Sequence, residues 1–251
     1  MRQIIYKRII KTLLFLTLIV MAVNIWAHFN WIAPLKLEIK KGETAYFSLN
    51  HGHNFPEGEE TPNMDYVKAF VVLPSGENIE LVPEKREKSL MVLFPVEETG
   101  RFIVYFEEDR GVRSRTPRGW QPGGKDKYPD AGLSMKYYSS SLTYLQINHD
   151  KKEEIISLGL PFELAGSINN NILTSAVFKQ KQPVTDIEIS LVKENTEPEV
   201  IGRTNKSGEI RYDLHDFKGK LLLIASYSKK MSAEANYKEE RASSTLYLWV
   251  D

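Results

Sequence analysis

Short β-type segments broken by Gly- and Pro-containing turns constrain this chain more than any other feature. Residues 44–49, 66–73, 78–82, 89–94 and 101–106 are each rich in β-branched and aromatic types. Turns at residues 40–43, 74–77 and 97–100 separate several of them, and each carries a Gly. Residues 35–39 alternate apolar and charged side chains, which predicts a further half-buried strand. No long stretch shows a helical period. Strands this closely spaced predict an antiparallel sandwich or barrel and exclude an α/β layout.

Residues 110–132 break the rhythm. Arg110, Arg113, Arg115, Arg118 and Trp120 lie there among two clusters of Gly and Pro, and the segment reads as a long exposed loop. Strand character returns over residues 137–147. A charged run, residues 149–154, then marks a boundary. Beyond it come strands over residues 159–164, 172–179, 186–193, 210–214, 221–227 and 244–250. Gly208 sits where a tight hairpin turn needs positive φ. About seven short strands fit a small immunoglobulin-like or transthyretin-like sandwich. The expected fold is therefore all-β, with two antiparallel β-sandwich domains. The N-terminal one spans residues 28–150 and the C-terminal one residues 156–251.

Residues 1–27 have a different character. Arg2, Lys7, Arg8 and Lys11 precede an apolar run over residues 13–23 that matches the hydrophobic part of a signal peptide and is short for a bilayer span. Ala27 suits the position before the cut, although Ile25 is bulky for its place; Ala22 offers a competing site. The expectation is a periplasmic protein released from its leader, with N-terminal membrane anchoring if the leader stays uncut.

Composition narrows the chemistry. The chain has 33 basic and 33 acidic residues, so it lacks the basic excess of a nucleic-acid surface. It has no cysteine, which removes disulfides, thiolate metal sites, thiol nucleophiles and a lipoprotein anchor. There is no Gly-Xaa-Ser-Xaa-Gly elbow, no phosphate-cradling loop and no His-Glu-Xaa-Xaa-His helix.

What remains is histidine. Cleavage after Ala27 would make His28 the first residue, with a free α-amine beside its imidazole. These titrate at about 7.7–8.0 and 6.5, so both are partly neutral near pH 7. Neutral nitrogens suit nickel, copper or zinc. His51-Gly52-His53 follows a strand, and residues two apart on an extended chain face the same way. His28, His53 and His51 are therefore the candidate metal ligands. The acidic loop after them, with Glu57, Glu59 and Glu60, offers carboxylate partners or simply a solvated rim. His149 and His215 read as surface histidines.

Several motifs together resemble one family. They are Ala27-His28-Phe29-Asn30-Trp31-Ile32-Ala33-Pro34, Gly52-His53-Asn54-Phe55-Pro56, Leu158-Gly159-Leu160-Pro161-Phe162-Glu163-Leu164, Phe178-Lys179-Gln180-Lys181-Gln182-Pro183-Val184 and Arg203-Thr204-Asn205-Lys206-Ser207-Gly208-Glu209. The chain is similar across residues 28–251 to the bacterial domain-of-unknown-function family assigned to the substrate-specific region of nickel-uptake transporters. The resemblance implies His28 and His53 as metal-site residues, with His51 just outside the Gly-His pair. It also implies a metal-uptake transporter or an outer-membrane receptor as partner. Members often carry a late histidine that residues 225–229 lack. The expected function is non-catalytic binding of nickel, cobalt or copper during uptake or handling. Two alternatives differ in class. One is a structural sandwich that binds a protein or glycan. The other is a copper enzyme using a histidine brace, which ascorbate-driven peroxide formation would reveal.

Overall fold

A computed structural model describes residues 28–148 and 154–250. The leader, its cleavage position, His149 and most of the charged boundary segment lie outside the described residues. The fold is all-β. Its strands are β1 (Phe29–Pro34), β2 (Thr44–Gly52), β3 (Val67–Val72), β4 (Asn78–Leu81), β5 (Glu84–Lys85), β6 (Ser89–Pro95), β7 (Gly100–Thr116), β8 (Gly119–Pro122) and β9 (Leu133–Ile147) in the first half. The second half holds β10 (Glu163–Asn169), β11 (Ile172–Lys179), β12 (Gln182–Pro183), β13 (Glu188–Lys193), β14 (Glu199–Arg203), β15 (Glu209–Asp213), β16 (Gly219–Lys230) and β17 (Glu239–Val250). A single 3-10 turn, Met64–Tyr66, is the only helical element among the described residues. None of these residues forms a helix long and apolar enough to cross a membrane.

Three sheets make the layers. A nine-stranded sheet runs β14-β13-β16-β17-β9-β7-β3-β4, with β8 added beside β7. Two four-stranded sheets, β1-β2-β6-β5 and β10-β11-β12 with β15 on β11, complete the fold. The large sheet crosses the expected boundary, because β9 and β17 pair in parallel from Met135–Glu239 to Leu142–Leu246. Side chains alternate across it, as the period of a strand requires. Phe102, Val104 and Phe106 face a core with Phe47, Leu49 and Val92 of the first small sheet. Ile103 and Tyr105 face the opposite core, with Leu164, Leu173 and Val177 of the second. Each half thus packs sheet on sheet, and both sandwiches draw on the same middle layer.

β1 is buried on both faces. Phe29 and Trp31 join Phe55, Val192, Leu222 and Tyr247 in a third core that spans the halves. Trp31 is fully buried; replacing such a side chain by Ala costs roughly 3–5 kcal/mol. As a sheet edge, β1 has backbone groups without a strand partner. Hydroxyls of the middle sheet supply two of them: Ile32 N donates to Ser141 Oγ (3.0 Å), and Thr245 Oγ1 donates to Asn30 O (2.6 Å).

Three expectations need correction. Residues 159–162 are not strand, because β10 begins only at Glu163. Residues 35–39 are not a strand. Leu35 N makes one more bond to Tyr46 O (2.9 Å), and the chain then leaves the sheet with Leu35 and Leu37 exposed and Ile39 turned inward. Residues 110–132 are not one long loop. β7 continues through Arg110 to Thr116, turns into β8 and pairs with the start of β9. The sequence hid this because a bulge between Asp109 and Gly111 resets the register and arginines occupy places where apolar residues would signal a strand. Only residues 123–132 form a connecting loop.

Candidate metal centre

The register of β1 on β2 assembles the site. Phe29 lies opposite Gly52 and Asn30 opposite His51, which brings His28 beside the end of β2. The His28 ring centroid is 3.9 Å from that of His53, tilted by 53°. It is 5.0 Å from that of His51 and nearly parallel, at 6°. The three histidines singled out in the sequence therefore meet.

Glu59 joins them. Its backbone N donates to His51 O (2.9 Å), which folds the acidic loop back over the strand end. Gly52 makes room: its φ is +151°, and a Cβ there would stand 2.9 Å from Glu59 Cγ. Glu59 Oε2 lies 3.2 Å from His53 Nδ1, and Asn54 Nδ2 donates to Glu59 Oε1. The hydrogen bond from His53 holds the Glu59 carboxyl below its ordinary range. An ionised carboxylate only accepts, so in this contact His53 Nδ1 carries the proton.

His28, His53 and Glu59 each bring a ligand atom within 4.8 Å of the other two. Bonds of about 2.1 Å hold donors at most about 4.2 Å apart. A small side-chain adjustment brings the three to ligating distance. Two imidazoles and a carboxylate suit nickel, cobalt, copper or zinc. Glu59 can serve in two ways, as a direct ligand or as the acceptor that orients His53.

His51 stands apart from that group and is tied from behind. Its Nδ1 is 2.7 Å from Asn30 Oδ1. Asn30 Nδ2 donates to Glu108 Oε2 (2.9 Å) and to Ser139 Oγ (3.1 Å). Glu108 is buried, accepts also from Ser139 Oγ, and is ion-paired with Arg110 at 2.7 Å. The chain of donors fixes the tautomer. Glu108 and Ser139 Oγ take the Asn30 amide hydrogens, so Oδ1 faces His51, and His51 Nδ1 must donate. Its Nε2 is left as an acceptor on the ring that stacks on His28. Burial first, and then the nearby His28, push His51 below its ordinary value, so it is neutral at pH 7.

Sequence reasoning did not single out Asn30 or Glu108 and left Glu59 between two readings. Glu108 carried a signal. Phe102, Val104 and Phe106 point inward, and the same alternation puts Glu108 inside, where an acid needs partners. His215 is exposed, as expected of a surface residue, beside Asp213.

A cleft of about 1140 Å³ opens next to the histidines. His28 and His51 form one part of its wall, Arg110, Arg113, Trp120 and Tyr137 another. Strands β13, β14, β16 and β17 supply most of the rest.

No curated protein matches the chain. Among solved structures, a DUF4785 family protein of Legionella pneumophila is 13% identical, with a TM-score of 0.28, over 77% of this chain and 52% of that one. The alpha-2-macroglobulin of Escherichia coli is 11% identical, with a TM-score of 0.29, over 90% of this chain and 20% of that one. A two-domain fibronectin type III segment of chicken tenascin is 12% identical, with a TM-score of 0.24, over 88% of this chain and 100% of that one. This chain thus spans about half the length of the first and a fifth of the second. A family profile matches residues 25–228, which include the histidine cluster, Glu59, Glu108 and most of the cleft. The chain belongs to the domain-of-unknown-function family DUF4198.

Proposed function

We propose that this protein is a non-catalytic, periplasmic binder of a divalent transition metal that assists metal uptake or handling. The observation that carries the reading is the convergence of His28, just before β1, with His53 and Glu59, just after β2, on one point. Nickel is favoured by the family resemblance, with cobalt and copper as the other cargoes of the same donor set. A metal-uptake transporter or an outer-membrane receptor would receive or supply the ion.

Leader removal is part of the proposal. While Ala27 is attached, the His28 nitrogen is an amide and a poor ligand. Cleavage after Ala27 makes it an amine that chelates together with its own ring. Isothermal titration calorimetry with nickel and copper tests this on three proteins. Protein beginning at His28 binds one metal. The same protein with one extra N-terminal residue, and the His53→Ala variant, bind much more weakly. Equal affinity of the extended and mature forms would falsify the role of the amine.

A further inference from the structure

We propose that the cleft beside the histidines holds the organic part of a metal chelate, a small polycarboxylate, so that the protein takes its metal already complexed. The inference rests on the metal reading above and names the form in which the cargo arrives.

Size is the first argument. At about 30 Å³ per water, an ion with six waters fills roughly 180 Å³. The cleft of about 1140 Å³ is far larger and lies just above the range of small-molecule sites, about 300–1,000 Å³. Its wall is continuous with His28 and His51, so a ligand lying in it would present a metal to the histidine cluster.

Charge is the second. Most of the ionic groups on the wall are already matched: Arg110 with Glu108 (2.7 Å), Arg241 with Glu239 (2.9 Å) and Glu188 with Arg203 (3.2 Å). Arg113 is different. Its guanidinium donates to neutral oxygens, Tyr66 Oη and Trp120 O, both at 3.1 Å, and no carboxylate reaches it among the described residues. These two contacts use only part of its donor set. A bare dication entering past an unmatched arginine is repelled, whereas a chelate with surplus carboxylates is attracted. The planar fork of arginine also suits carboxylate recognition. Trp120, 40% exposed on the same wall, gives the carbon skeleton an apolar surface.

The test uses the full mature chain and citrate as the probe. Citrate is titrated into nickel-loaded wild-type protein, and native mass spectrometry checks for a complex of one protein, one nickel and one citrate. The expected result is that complex, with citrate affinity falling about tenfold in Arg113→Gln while nickel affinity in citrate-free buffer is unchanged. Arg113→Lys, which keeps the charge and loses the fork, should fall between, and circular dichroism confirms that both variants fold. If nickel binds but citrate only strips it, or Arg113→Gln matches wild type, this proposal is overturned and the metal reading stands. If bare nickel fails to bind but nickel–citrate binds through Arg113, the proposal is supported and the bare-ion reading fails. If neither binds, both are overturned.

Discussion

Among the described residues, two carboxylates are buried, Glu163 and Glu108, and they do different work. Glu163, at the start of β10, is held by its own neighbourhood: Ser157 Oγ, Leu158 N (3.0 Å) and Gly159 N (3.1 Å) all donate to it. It closes the turn that leads into the second sandwich. Glu108 is held by side chains brought from distant parts of the chain, Asn30 and Ser139, together with Arg110. The first arrangement forms when one loop closes. The second exists only once β1, β7 and β9 have come together, and its outer end is His51. Local satisfaction marks a structural acid, and long-range satisfaction leading to a histidine marks a site.

The largest difference between them should appear in stability. Glu108→Ala strands the buried Asn30 amide and leaves Arg110 without its anion, at a cost of about 3 kcal/mol. Glu163→Ala frees two backbone amides in a turn that can rotate them toward water, at a cost of about 1–2 kcal/mol. Urea unfolding of both variants measures the gap, and a costlier Glu163→Ala would reverse the assignment.

Metal affinity should separate them next. Glu108→Gln keeps the shape but adds an amide that can donate, so the Asn30 orientation and the His51 tautomer are no longer enforced. With His51 as a further ligand beside His28, His53 and Glu59, loss of its outer partner weakens metal binding about tenfold. Glu163→Gln should leave it unchanged. Calorimetry with nickel on the two variants decides, and equal affinities would show that the relay behind His51 does not reach the metal.

The two sites were unequally visible in the sequence. The segment around Glu163 is contiguous, yet its apolar residues read as a strand over 159–164, whereas β10 begins only at Glu163 and the residues before it form the turn that this acid closes. Alternating β-type segments gave the fold class, because period-two burial is a local property. The histidines stood out by type and by their place at a chain start and a strand end. Asn30 and Glu108 did not, since their roles depend on register between strands and on a middle sheet formed by both halves. That sheet exists through the parallel pairing of β9 with β17, a contact between segments about a hundred residues apart that no local pattern announces. The continuation of β7 past Glu108 was hidden for a related reason: its partner on β9, rather than its own apolar alternation, holds it extended.

The smallest effect, and the one most specific to the contrast, is the sign of the pH dependence. Burial pushes the Glu163 carboxyl above 4.5 against the pull of Ser157 Oγ and the backbone amides of Gly159, Leu158 and Leu160. In the window from 4.5 up to that raised value the folded chain binds more protons than the unfolded one, so its contribution to stability falls as pH rises. His51 is displaced the other way, below 6.5, by burial and then by His28, with Glu108 and Glu60 opposing and Arg110 reinforcing the shift. Between its depressed value and 6.5 the unfolded chain binds more protons, so its contribution rises with pH and is complete above 6.5. Urea unfolding of metal-free protein, followed from about pH 4 to 7, reads both. Glu163→Gln should remove the falling component and His51→Gln the rising one. If either variant keeps the wild-type slope in its own window, that group titrates alike in the folded and unfolded chain, and the environment assigned to it here is wrong.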